Sequence, residues 1–214
     1  MKNFAIVFIV IIFVFSLSCG GGKSGNAKNA NSAEVKKGVT PIADSEIAVL
    51  EMENSAAYGT IKLELYSNLA PKMVARFKEL AREGVYDGTT FHRINASVIQ
   101  GGDPLSKDND PTNDGTGNSN KPNIEAEFSD IKYDTGILGA ARMQDFNSAN
   151  SQFFITLKRE PGFDNKYTVF GKVIDGMNNV RTISNVQPKE GNPPERPVEA
   201  VRIKHISIQP KNAQ

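Results

Sequence analysis

Short runs of alternating apolar and polar residues, punctuated by turns and broken by few helical patterns, are what most constrains the fold open to this chain. Ile61, Leu63 and Leu65 alternate with Thr60, Lys62 and Glu64, which makes one face of a strand apolar and the other polar. Similar β-type runs recur around residues 89–94, 98–100, 136–141, 152–157, 168–173 and 201–208. Helical spacing is confined to two stretches. Pro71 suits a first helical turn, and Val74, Phe77, Leu80 and Ala81 follow at helical intervals until Gly84 stops them. Val180 and Ile183, shortly after Asp175-Gly176, fit a second, shorter helix. Many strands with two helices predict a mainly β domain, a closed barrel rather than a parallel α/β sheet.

The domain so read occupies residues 45–214, and the chain ahead of it has a different character. Met1-Lys2-Asn3 is a short basic start, and residues 4–15 are an unbroken apolar run. As a helix that run rises about 18 Å, short of the ~30 Å hydrocarbon core of a bilayer, so residues 1–18 read as a signal peptide. Cys19, the single cysteine, follows small residues and precedes three glycines. This resembles the lipobox of bacterial lipoproteins, with Ser16 where that pattern prefers leucine. The resemblance implies lipidation of Cys19 and attachment to a bacterial membrane in the cell envelope; an ordinary cleaved signal and an uncleaved anchor are the alternatives. Residues 20–44 are rich in Gly, Asn, Ala, Ser and Lys, too polar to offset the entropy of ordering, and read as a flexible tether. With no second cysteine the domain is held by packing alone.

Composition excludes one class of partner. The 25 basic and 24 acidic side chains leave a formal net charge of +1, without the basic excess that nucleic acid requires. Residues 103–123 are polar and glycine-bearing, and Asp108, Asp110 and Asp114 invite a calcium reading. Asn113 and Ser119 stand where a calcium loop needs glycine and glutamate, so the segment reads as a solvated loop and no metal is expected.

Five blocks carry a more specific signal. They are Gly59-Thr60-Ile61-Lys62-Leu63-Glu64-Leu65-Tyr66 with Ala70-Pro71; Tyr86-Asp87-Gly88-Thr89-Thr90-Phe91-His92-Arg93; Gln100-Gly101-Gly102-Asp103-Pro104; residues 147–155 from Asn147 through Ser151-Gln152-Phe153-Phe154-Ile155; and Tyr167-Thr168-Val169-Phe170-Gly171-Lys172-Val173. In this order they resemble the cyclophilin-type peptidyl-prolyl isomerases. The resemblance implies a closed eight-stranded antiparallel barrel capped by two α-helices, with a substrate groove on its outer surface. It also implies catalysed rotation about X–Pro bonds, with no cofactor and no covalent intermediate. Arg93 and Gln100 match the catalytic positions, and Gln152, Phe154, Phe163, Tyr167, Ala141 and Val98 match substrate-binding ones. The partners implied are proline-containing peptides and unfolded or exported proteins, met by a monomer held at a membrane through its lipid.

The residue types suit the chemistry. Twisting an amide costs it resonance, a barrier of about 18–20 kcal/mol, and a fixed donor near the prolyl nitrogen stabilises the twisted form. Arginine donates in a rigid fork and stays charged at physiological pH. Alternation turns His92 away from the face of Arg93, and Phe153 away from that of Phe154, so His92 reads as structural, as does His205. The sequence departs from the family at Ser97, where an aromatic wall residue is expected, and near Gly162, where cyclosporin-sensitive members carry tryptophan. The first departure keeps open a second reading, a lipid-anchored peptide-binding module or holdase with little turnover.

Overall fold

The computed structural model describes residues 33–108, 110–186 and 195–211. The signal peptide over 1–18 and Cys19 lie outside the described residues. Among the described residues, ten strands and three α-helices follow in the order β1 (Val35–Lys36), β2 (Glu46–Met52), α1 (Ser55–Tyr58), β3 (Thr60–Leu65), α2 (Pro71–Arg82), β4 (Arg93–Ile94), β5 (Val98–Gly101), β6 (Phe128–Ser129), β7 (Ile137–Ala140), β8 (Phe153–Thr156), β9 (Val169–Asp175), α3 (Met177–Ser184) and β10 (Ile203–Pro210).

Eight of the strands make one antiparallel sheet in the order β10-β2-β3-β9-β7-β8-β5-β4. The strand number agrees with expectation, but the sheet is a half-barrel with two edges rather than a closed barrel. Its edges are β4 and β10, and the residues leading into them meet only through the isolated bridge Thr90–Arg202 and a few backbone bonds, among them Phe91 N to Val201 O at 2.9 Å. These contacts are made by residues 88–91, just ahead of β4, which is itself two residues long and ends where Asn95 turns the chain, its side chain accepting from Ser97 N and Val98 N.

Helix α2 begins with Pro71 at its first position and Ala70, which has no capping side chain, before it. Glu127 supplies the cap from a distance, accepting from Lys72 N at 3.1 Å and Met73 N at 2.9 Å, where a carboxylate also complements the helix dipole. Gly84, at φ +67°, closes the other end: Val85 N reaches Leu80 O and Gly84 N reaches Ala81 O, a Schellman arrangement. Met73, Val74, Phe77, Leu80 and Ala81 are buried on one face of α2, and Val180 and Ile183 on α3. Phe77 is the hub of this core, with Tyr86, Phe153 and Phe170 rings 5.2 to 5.5 Å away. Burying each such side chain contributes about 1.5–3 kcal/mol. The third helix, α1, is a single turn capped by the Asn54 side chain and was not foreseen.

Part of the expected tether is docked. β1 pairs in parallel with β6, Lys36 Nζ donates to Leu69 O at 2.6 Å, and Gly38 N donates to Asp130 at 2.9 Å. Asp44 accepts from Ser67 N, Ser67 Oγ and Lys78 Nζ. Val35 finds a backbone partner in Phe128, and Val39 and Ala43, although sparse, pack against the apolar cluster that contains Tyr133 and Phe154.

Candidate active site

The site is assembled on the edge of the sheet where β4, β5 and β8 lie side by side. Cross-strand register sets Arg93 of β4 opposite Gln100 of β5, and Gln100 opposite Phe154 of β8. Residues paired across antiparallel strands share a face. Alternation then puts Val98 and Gln100 of β5 on that same outer face and sends Ile99 inward. The adjacent phenylalanines divide in the same way: Phe153 belongs to the interior core around Phe77, and Phe154 to a second apolar cluster with Tyr66, Leu69, Val98, Tyr133, Ile137 and Val169.

A polar line runs along one side. Arg93 Nη1 donates to Gln100 Oε1 at 3.4 Å, Gln100 Nε2 to Gln152 Oε1 at 3.0 Å, and Gln152 Nε2 to the carbonyls of Gly115 at 3.0 Å and Gly117 at 2.8 Å. Every amide in the line has its orientation set by the next, so neither glutamine is free to flip. The segment expected to be a solvated loop thus closes the line. Its carboxylates are occupied: Asp103 accepts from Leu105 N, Gly115 N and Gly117 N, Asp110 from Thr112, and Asp114 pairs with Arg196. Gly102 lets the chain enter this loop, since its φ is +83° and a Cβ there would stand 2.7 Å from Ser151 O.

Beside the polar line is a pocket of about 90 Å³ lined by Arg93, Val98, Gln100, Ala141, Arg142, Phe154, Phe163 and Tyr167. Phe154 forms its floor, stacked on buried Tyr133 at 5.7 Å and 27°. Phe163 and Tyr167 stand edge-on to that floor at 5.5 and 5.7 Å and contact each other at 5.2 Å. An apolar cup with aromatic walls and a cation on its rim suits a small saturated ring whose attached amide must be reached by a donor. Of the residues singled out in the sequence, Arg93, Gln100, Phe154, Phe163, Tyr167, Ala141 and Val98 line this one pocket, and Gln152 holds Gln100 from behind. Ser97 is not among the lining residues; Val98 forms the wall at that point. Gly162 is not among the lining residues either, and a Cβ there would meet nothing within 4 Å.

Two contributors escaped the sequence reading. Arg142 lies 4.5 Å above the Tyr167 ring and 4.5 Å above that of Phe146, and its guanidinium donates to Lys166 O, bracing the wall. Its position directly after Ala141 was the available signal. Glu195 accepts from Arg93 Nε at 2.6 Å, across 102 positions of sequence, and no local pattern announces it. His92, by contrast, faces a separate cleft of about 170 Å³ with Arg196, Asp114 and Arg202. Burial, chiefly, pushes its pKa down to about 4, so it is neutral at physiological pH and away from the pocket.

Comparison with known proteins adds the following. The family model for cyclophilin type peptidyl-prolyl cis-trans isomerase/CLD matches residues 49–208. A probable peptidyl-prolyl cis-trans isomerase of Brucella suis is 42% identical over 149 residues, spanning 67% of this chain and 76% of its own. Peptidyl-prolyl cis-trans isomerase cypE of Dictyostelium discoideum is 39% identical over 152 residues, 68% of this chain and 88% of its own. Among solved structures, a cyclophilin type peptidyl-prolyl cis-trans isomerase of Cryptosporidium parvum superposes with a TM-score of 0.67 at 30% identity, over 77% of this chain and 97% of its own. The same protein in the presence of the dipeptide Ala-Pro gives 0.66 at 31% identity, over 76% and 98%.

Proposed function

The chain belongs to the cyclophilin-type peptidyl-prolyl cis-trans isomerases, and from that premise we propose that Arg93 is the group that stabilises the twisted amide and that the substrates are exported proteins. The observation that carries the first part is the position of the Arg93 guanidinium on the rim of an aromatic pocket, braced by Gln100 and Gln152. A proline ring seated on Phe154, between Phe163 and Tyr167, brings its ring nitrogen to that rim. As the X–Pro bond twists, the nitrogen lone pair leaves conjugation with the carbonyl and becomes an acceptor. A guanidinium N–H aimed there binds the twisted state better than either planar one, which lowers the barrier in both directions without a covalent step. Gln100 and Gln152 hold the substrate backbone while the bond turns. The Ala-Pro dipeptide used with the Cryptosporidium relative suits the same kind of pocket.

Cis–trans exchange of a short X–Pro peptide, followed by NMR, tests this. The full chain accelerates exchange, and Arg93→Ala lowers kcat/KM about 10²–10³-fold, as loss of one preorganised donor does elsewhere. Unchanged turnover in a folded Arg93→Ala protein would remove Arg93 from the mechanism. A folded wild-type chain that bound the peptide without accelerating exchange would favour the binding module instead.

The exported context rests on the N-terminal sequence: a signal-like run, Cys19 after it, and a polar segment leading to the domain. Lipidated there, the domain works as a monomer at the cell envelope, where newly exported chains fold. Radiolabelled palmitate should enter the wild-type chain and not Cys19→Ala; equal labelling of both would sink the anchor.

A further inference from the structure

Glu195 touches the edge strand of the site three times. Its carboxylate accepts from Arg93 Nε at 2.6 Å and from Asn95 Nδ2 at 3.0 Å, and its backbone carbonyl accepts from Ile94 N at 2.6 Å. The residue sits at φ +71°, a conformation that side chains other than glycine rarely adopt and that surrounding contacts must hold in place. Together with Gln100 on Nη1, this contact accounts for two of the three guanidinium nitrogens of Arg93. Nη2 has no protein hydrogen bond among the described residues, and it is the donor left for substrate.

We propose that Glu195 is a positioning residue: it holds Arg93 by Nε so that Nη2 is presented to the prolyl amide in a fixed direction. Arginine has large rotamer freedom, and a donor that must find its direction at each turnover loses the benefit of preorganisation. The pair is half exposed, with side chains 47% and 36% accessible, and exposed ion pairs add little to stability. Its consequence therefore falls on turnover rather than on folding. The inference rests on the assignment of Arg93 as the catalytic donor.

Five full-length proteins decide it: wild type, Glu195→Ala, Glu195→Gln, Arg93→Ala and the double variant Arg93→Ala/Glu195→Ala, with kcat and KM from X–Pro exchange and melting temperatures alongside. Glu195→Ala should lower kcat about tenfold through misplacement of the donor, leave KM within about twofold, and melt close to wild type. Glu195→Gln, which keeps an acceptor but no charge, should fall between. In the Arg93→Ala background the Glu195→Ala change should do nothing further. A readout independent of turnover is the Arg93 Nε–H resonance, expected to be sharp in wild type and exchange-broadened in Glu195→Ala. Turnover at or above wild type in Glu195→Ala overturns the proposal, as does an equal loss in both backgrounds, which marks a structural role. Wild-type turnover in Arg93→Ala fails the Arg93 assignment itself and Glu195 with it. An impaired Arg93→Ala beside an unimpaired Glu195→Ala fails Glu195 alone.

Discussion

His92 and Arg93 are consecutive, yet one is a buried neutral ring and the other a half-exposed cation at the pocket rim. Strand alternation made that division legible in sequence; the electrostatic consequence needed the structure. The Asp103 carboxylate favours the charged form of His92 and the Arg196 and Arg93 charges oppose it, but burial dominates and lowers its pKa to about 4. In the unfolded chain the value is near 6.5, so unfolding takes up a proton between those two pH values. The stability His92 contributes is whole above about pH 6.5 and lost as pH falls toward 4. The difference corresponds to roughly 3 kcal/mol at about 1.4 kcal/mol per pH unit. Urea midpoints of wild type should accordingly fall more steeply from pH 6.5 to 4 than those of His92→Gln; parallel slopes would contradict the burial account. Glu195 marks the opposite limit of legibility, since its partner lies so far away in sequence that only the folded chain brings the two together.

Strands and helices differ in how openly the sequence declares them. β3 follows the alternation of its residues and α2 its helical spacing, because burial of one face writes a period into the chain. β1, β6 and the single turn α1 are too short to hold a period, and the cap of α2 comes from Glu127, 55 positions away from Lys72. The pairing of β7 with β8 yields a prediction at this scale. Gly139 lies opposite Phe154, and a Cβ on it would stand 2.3 Å from the ring. Tyr133 stacks on the other flank of Phe154, so the ring has little room to retreat. Gly139→Ala should lift the floor of the pocket, costing about 1–3 kcal/mol of stability as overpacking does. The same variant should raise KM for X–Pro peptides while the Arg93–Gln100–Gln152 line keeps its geometry. A normal KM would show that the floor moves independently of the substrate.

For the molecule as a whole, the family and the strand number were written in the five sequence blocks, whereas closure was not. An eight-stranded count does not tell whether the two edges pair along a ladder, and here they meet through one isolated bridge and a few backbone bonds. The docking of the segment ahead of residue 45 was hidden for a related reason: composition reports how apolar a segment is, not whether docking partners wait for it. Residues 33–44 make backbone and side-chain bonds to Leu69, Asp130, Ser67 and Lys78. A chain beginning at Ser45 should lose about 2 kcal/mol relative to one beginning at Ala33, the worth of a few such bonds, and melt roughly 4–8 °C lower. Equal melting temperatures would mean that the docked segment contributes nothing.

That docked segment also sets the path along which tension would travel. Traction on the chain ahead of Ala33 loads the two-residue β1–β6 ladder and the Lys36 clasp before any strand of the main sheet bears force. Val39 and Ala43, next in line, pack against the cluster that contains Tyr133 and Phe154. A pull at the N-terminus therefore reaches, after that ladder, the packing behind the floor of the proline pocket.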